Sequence, residues 1–199
     1  MSHLDNSPYA EVLKAAESLK KQGQYHEAIK LLEQILHDDL EATEAFEELG
    51  DNYMNLREYA KAISAIKMAI SLNPESANAH YLLGFSYSAL NDFNNSIKEL
   101  EIANKLSANH PEILRCLGWS LFHGNKENQG LIILSRAHNL SPDDNYILTD
   151  MGMCYLVKRE YNKAKQTFET ILQNDPQNEK ARECLNACRF FEKKTAKSK

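Results

Sequence analysis

Residues 46–74 read FEELGDNYMNLREYAKAISAIKMAISLNP. Two short amphipathic helices joined by a tight turn account for this stretch. Phe46, Leu49, Gly50 and Tyr53 fall on one helical face. Tyr59, Ala62, Ile63, Ile66, Ala69 and Ile70 fall on one face of the next segment, with apolar residues at i, i+3 and i+4. Asn73-Pro74 ends the second helix, because a residue before proline is pushed out of the α region. Two helices of this size cannot bury both apolar faces alone, so the pattern calls for neighbours of the same kind.

The chain supplies them at a fixed period. Gly50, Gly84, Gly118 and Gly152 are spaced by 34 residues and account for four of the seven glycines. Leu49, Leu83, Leu117 and Met151 precede them in register, and Tyr53, Tyr87, Leu121 and Tyr155 follow. Tyr59, Phe93 and Tyr161 keep the phase after the turn, as do Ala62 and Ala164, and Pro74, Pro142 and Pro176 close their units. Val12, Ala15, Ala16, Leu19, Tyr25 and Ala28 give a fifth, divergent copy at the start. A mid-helix glycine costs about 1 kcal/mol relative to alanine, so its repetition implies a compensating close approach of the paired helix. Ala28, Ala62 and Ala164 are the expected small partners.

This pattern resembles the tetratricopeptide repeat (TPR) family: 34 residues, Leu-Gly then an aromatic, a later Ala, and a closing Pro. The resemblance covers residues 9–178 of 199. It implies an all-α fold, a right-handed α-solenoid of helix–turn–helix repeats whose first helices line a concave groove. It also implies a protein–protein interaction role, as an adaptor, scaffold or co-chaperone-like binder. The expected organisation is a disordered lead-in at 1–8 and repeats at 9–42, 43–76, 77–110, 111–144 and 145–178. A capping helix at 179–194 and a basic tail at 195–199 complete it. One cooperative array is expected, since a repeat core is a ribbon shared by neighbours.

Ser76, Asp144 and Asn178 precede first helices in the same register and are suited to N-capping. His110-Pro111 replaces this device in the fourth unit, with proline suited to the first helical turn. The second helix of the fourth unit breaks pattern. Glu127 stands where others have Tyr or Phe, Gly130 where they have Ala or Ser, and Gly124 falls in the turn. It is expected to be the least protected interior helix.

In the family, ligand-facing residues lie on first helices between the packing residues. The resemblance therefore selects Glu47 and Asp51 in the second repeat, Tyr81 and Phe85 in the third, Arg115, Trp119 and Phe122 in the fourth, and Met153 and Leu156 in the fifth. Glu44 and Met54, and Tyr146 and Val157, fall on the same stripe. The second repeat is acidic there and the later ones aromatic and aliphatic. Leftover apolar surface on a concave face marks a binding site, and Trp, Tyr and Arg are enriched in hot spots. The expected partner is a protein or peptide segment with apolar anchors and flanking Lys or Arg, helical or extended. The alternative for Trp119, the only tryptophan, is core packing between first helices. A known subclass grips carboxylate tails with Lys and Asn. Here those positions fall on Leu13, Glu17, Asp51, Tyr81 and Leu82, and the acids would repel such a ligand.

Other chemistry is sparse. The seven His and four Cys form no metal-ligand or nucleophile motif, and no phosphate-binding loop occurs, so no enzyme activity, cofactor or metal is expected. Cys184 and Cys188 read as small apolar residues of the cap stripe. A net charge of −5 disfavours RNA or DNA, which need a basic track. No apolar run is long enough for a membrane span, and four cysteines in no metal-like set suggest reduced thiols in a cytoplasmic setting. Phe190 and Phe191 are adjacent, so only one can face the fifth repeat. The other could enter a second molecule's groove, which makes a self-assembling homo-oligomer the alternative reading.

Overall fold

The computed structural model describes residues 8–196, and among them the only regular secondary structure is helical. The helices are α1 (Ala10–Lys21), α2 (Tyr25–Asp38), α3 (Thr43–Asn55), α4 (Tyr59–Leu72), α5 (Ala77–Ala89), α6 (Phe93–Leu106), α7 (Pro111–His123), α8 (Glu127–Leu140), α9 (Asn145–Val157), α10 (Tyr161–Asn174) and α11 (Glu179–Ala196). The period is kept to the residue. First helices α3, α5, α7 and α9 begin 34 apart and span 13 residues each, and second helices α2 through α10 span 14. The fold is an all-α solenoid type built of helical hairpins. Residues 1–7 of the expected lead-in at 1–8, and 197–199 of the expected tail at 195–199, lie outside the described residues.

Local chemistry sets the helix ends. Ser76 accepts from the Ala79 N–H at 3.1 Å, Asp144 from Tyr146 and Ile147, and Asn178 from Ala181 at 2.9 Å, as the register predicts. Pro111 opens α7. The intra-hairpin turns share a device the residue types disguise. Gly23, Arg57, Asn91, Asn125 and Arg159, again 34 apart, all hold positive φ, between 59° and 76°. The residue after each donates to a carbonyl five positions back, as Glu58 N–H does to Tyr53 at 2.8 Å. In the fourth turn Asn125 takes this conformation and Gly124 does not. Arginine has no local remedy for a left-handed backbone. Arg57→Gly and Arg159→Gly should therefore each raise stability by about 0.5 kcal/mol, whereas Gly23→Ala should lose about 1 kcal/mol. Urea denaturation checks this, and a loss on Arg57→Gly would refute the conformational argument.

The helices form two compact units, Met1–Ala108 and Asn109–Lys199. Where the periodicity suggests a single array, the boundary follows Ala108, which stands in the register of Pro74, Pro142 and Pro176. In unit 1 the core runs from Leu13 and Ala16 through Leu32, Leu49 and Ile66 to Leu83. His80 is buried there, with Glu99 at 2.7 Å from one ring nitrogen and the Pro74 carbonyl at 3.1 Å from the other. In unit 2 one cluster gathers Leu114, Leu134, Ile147 and Met151, and another joins Phe168, Ile171, Ala181, Leu185 and Cys188. The second ties α11 onto α10 as a cap.

The repeated glycines do mark close helix approach, but the alanines are not the main partners. A Cβ on Gly50 would lie 2.4 Å from the Ile66 side chain, and one on Gly152 would lie 2.6 Å from Phe168. Ile66, Leu100, Leu134 and Phe168 are also 34 apart and fully buried. A large residue on each second helix fills the notch left by the glycine.

In the fourth hairpin the pattern-breaking glycine of α8 has a packing role. That helix is full length, and Gly130 is buried against α7. A Cβ there would meet the Gly118 carbonyl oxygen and the Phe122 nitrogen at 2.6 Å each. Gly130 marks the tightest helix approach in unit 2 rather than a defect.

Candidate functional site

In unit 1 the first-helix face is carried by α3 and α5. Its carboxylates are partly occupied with holding neighbouring helices together. Lys20 on α1 donates to Glu48 and Asp51 at 2.7 Å each. Burial opposes the Lys20 charge, but hydrogen bonds to Asp51 and Glu48 outweigh it and hold its pKa above the usual lysine range. Glu47 accepts from the Ser76 hydroxyl at 2.6 Å and from the Asn78 amide at 2.7 Å, tying α3 to α5. These long-range contacts are not visible in the repeat pattern, which reports packing positions only. Glu44 remains exposed, and Glu44, Glu47, Glu48 and Asp51 together outnumber the single ammonium of Lys20. Tyr81 and Phe85, one helical turn apart on α5, are half-buried, with ring centres 6.5 Å apart.

In unit 2 the face is carried by α7 and α9. Arg115 forms a bridge rather than a free anchor. Its guanidinium donates to Glu112 at 2.5 Å and to Asp150 of α9 at 2.8 Å, and its side chain is 15% exposed. Burial lifts the Asp150 carboxyl above the usual carboxylate range against the pull of Arg115. The guanidinium also lies 5.9 Å from the ring centre of Tyr146, which is 74% exposed. A paired guanidinium thus supports an open aromatic ring.

Trp119 is half-buried, leaning on the core while its indole lies 4.1 Å from the His123 ring. Burial holds His123 below the usual histidine range, so a neutral imidazole extends this aromatic surface at neutral pH. Met153 and Leu156 are half-buried and pack partly on the α10–α11 cluster, with the Cys184 thiol 3.9 Å from the Met153 sulfur. Val157, 58% exposed, ends the α9 stripe.

Phe122 is a correction. The family stripe places it on the groove, but it is 3% exposed, inside the core with Leu114, Leu134 and Met151. The absent side chain of Gly130 lets α8 close on it. A glycine on α8 in the place of Ala or Ser is the sequence signal that points to this.

All four cysteines are buried and unbridged. Burial pushes the Cys154 thiol up to about 12, so it is a packing group and not a nucleophile at neutral pH. Among the described residues no group of His, Cys, Asp and Glu is placed to hold a metal ion, and no helix is long and apolar enough to cross a membrane.

Three tetratricopeptide-repeat family models match, one at residues 13–77 and 47–93, one at 77–110 and one at 147–178. No curated protein matches the chain. Among solved structures the chain is similar to TTC0263, a thermophilic TPR protein of Thermus thermophilus. Identity is 17% with a TM-score of 0.77, covering 90% of this chain and 98% of that one. It is similar to MamA from Desulfovibrio magneticus RS-1, at 16% identity and a TM-score of 0.72, covering 84% and 94%. It is also similar to YrrB, a TPR protein with an unusual peptide-binding site, at 19% identity and a TM-score of 0.66, covering 86% and 89%. The internal stretch between these matches, 111–146, holds the hairpin with the Gly118–Gly130 contact. Repeat period, hairpin geometry and family models agree: the chain belongs to the tetratricopeptide repeat family.

Proposed function

We propose that the protein is a non-enzymatic interaction module whose first-helix faces hold an apolar-anchored segment of a partner protein. The observation that carries this reading is the unit 2 face, where an exposed Tyr146 supported by Arg115 accompanies a half-buried Trp119. Core packing leaves these rings partly uncovered, and rigid aromatics lose little entropy on binding. The unit 1 face repeats the theme with Tyr81 and Phe85, bordered by acidic α3. Acidic borders favour a segment whose apolar side chains are flanked by Lys or Arg. YrrB, similar in fold, has a peptide-binding site, which fits this reading. A cytoplasmic location is part of the proposal and rests on the four unbridged thiols.

Random-peptide display on the full chain tests the reading. Enriched peptides should combine large apolar residues with Lys or Arg, and enrichment should vanish on the Phe85→Ala/Trp119→Ala variant. Equal enrichment on that folded variant would overturn the proposal.

A further inference from the structure

The end of α11 and the α3–α5 face carry complementary surfaces. Phe190 is 62% exposed and Phe191 44% exposed, the latter stacked on Tyr161 at 6.2 Å. They stand 34 residues after Leu156 and Val157, so they continue the register of the first-helix stripe. Around them Arg189, Lys193 and Lys194 outnumber Glu192. Arg189 is 53% exposed and meets Glu169 only at 3.9 Å. This terminal turn therefore presents aromatic anchors with basic flanks. The α3–α5 face presents Tyr81 and Phe85 beside a surplus of carboxylates, with Glu44 exposed.

The geometry points to a second copy of this chain as an occupant of that face. The C-terminal turns of α11 dock on the α3–α5 face of another molecule, Phe190 against Tyr81 and Phe85, with the basic side chains toward Glu44 and its neighbours. This inference rests on the reading of the first-helix faces as sites for apolar, basic segments. The contact joins two different surfaces, so it is heterologous and propagates head to tail. A symmetric contact through Phe190 would set Arg189, Lys193 and Lys194 against their own copies, which like-charge repulsion disfavours.

Complementation of two full-chain variants tests it, with folding checked by circular dichroism. The tail variant is Phe190→Glu, at an exposed position. The face variant is Glu44→Lys with Phe85→Ala, and Glu44→Lys alone serves as a second face variant should Phe85→Ala unfold. The wild-type mass by sedimentation should rise over roughly a hundredfold range of concentration and fall back with added salt. Each variant alone should remain monomeric, with association weakened about thirtyfold or more. Mixed, the two should form a dimer and nothing larger, since one intact contact survives. Wild type that stays monomeric, or variants that fail to complement, would overturn the inference. Display enrichment that persists on such a monomer would leave the reading of the faces standing and remove only the second copy as occupant.

Discussion

Gly130→Ala should destabilise the protein by about 2 kcal/mol. Two effects oppose each other. Alanine improves helix propensity by about 1 kcal/mol. Its Cβ would however come within 2.6 Å of the Gly118 carbonyl oxygen and the Phe122 nitrogen, and 2.8 Å of the Phe122 Cβ. The first two are backbone atoms of α7, so no rotamer change relieves the overlap and the helices must separate. Overpacking of this kind costs about 3 kcal/mol. Gly50→Ala is the contrast. Its new Cβ meets the side chain of Ile66, with Cγ1 at 2.4 Å and backbone no nearer than 3.5 Å. Repacking of one buried side chain, rather than separation of two backbones, relieves it, so the net loss should be nearer 1 kcal/mol. Urea denaturation ranks the two, and a Gly130→Ala protein as stable as wild type would refute the close approach. Separation of α8 from α7 would also disturb Phe122 and Trp119, so the variant should change tryptophan emission in the native state.

Arg115→Ala should cost about 3 kcal/mol, because it leaves Asp150 buried without its cation. The carboxyl of Asp150 is already lifted by burial, and losing Arg115 removes the attraction that lowers it. The sign of the pH dependence follows. A carboxyl with a raised folded-state pKa favours the folded state when protonated. Its contribution is present at low pH and lost as pH rises through the folded pKa. The Arg115→Ala deficit should therefore shrink as pH falls through the raised Asp150 pKa. A double variant, Arg115→Met with Asp150→Leu, should recover most of the stability, since neither charge is then stranded. A deficit that grows on acidification would show that Asp150 is not the stranded group.

The hairpins were legible in the sequence because packing positions repeat and periodicity reports packing. Leu49, Gly50 and Tyr53 with their in-phase equivalents located every first helix from α3 to α9, and the proline and cap register located the ends. Two packing features were missed. One was the file of Ile66, Leu100, Leu134 and Phe168, which fills the glycine notches and is as periodic as the glycines themselves. The other was the Gly118–Gly130 contact, which draws Phe122 into the core. The candidate faces were legible only as positions. Which side chains there remain available depends on non-periodic partners, such as Lys20 for Asp51, Ser76 and Asn78 for Glu47, and Asp150 for Arg115. Those pairs unite residues about one repeat apart whose types recur nowhere else in register.

A partner on the first-helix faces would meet aromatic side chains that core packing leaves partly uncovered. Trp119 is the only tryptophan, so its fluorescence reports that face alone. The direct measurement is acrylamide quenching of Trp119 in the free chain and in the chain saturated with a display-selected peptide. Partial quenching is expected for the free protein, with blue-shifted emission and clear protection once the peptide is bound. Saturation by a tightly bound peptide with no change in Trp119 emission or quenching would contradict it.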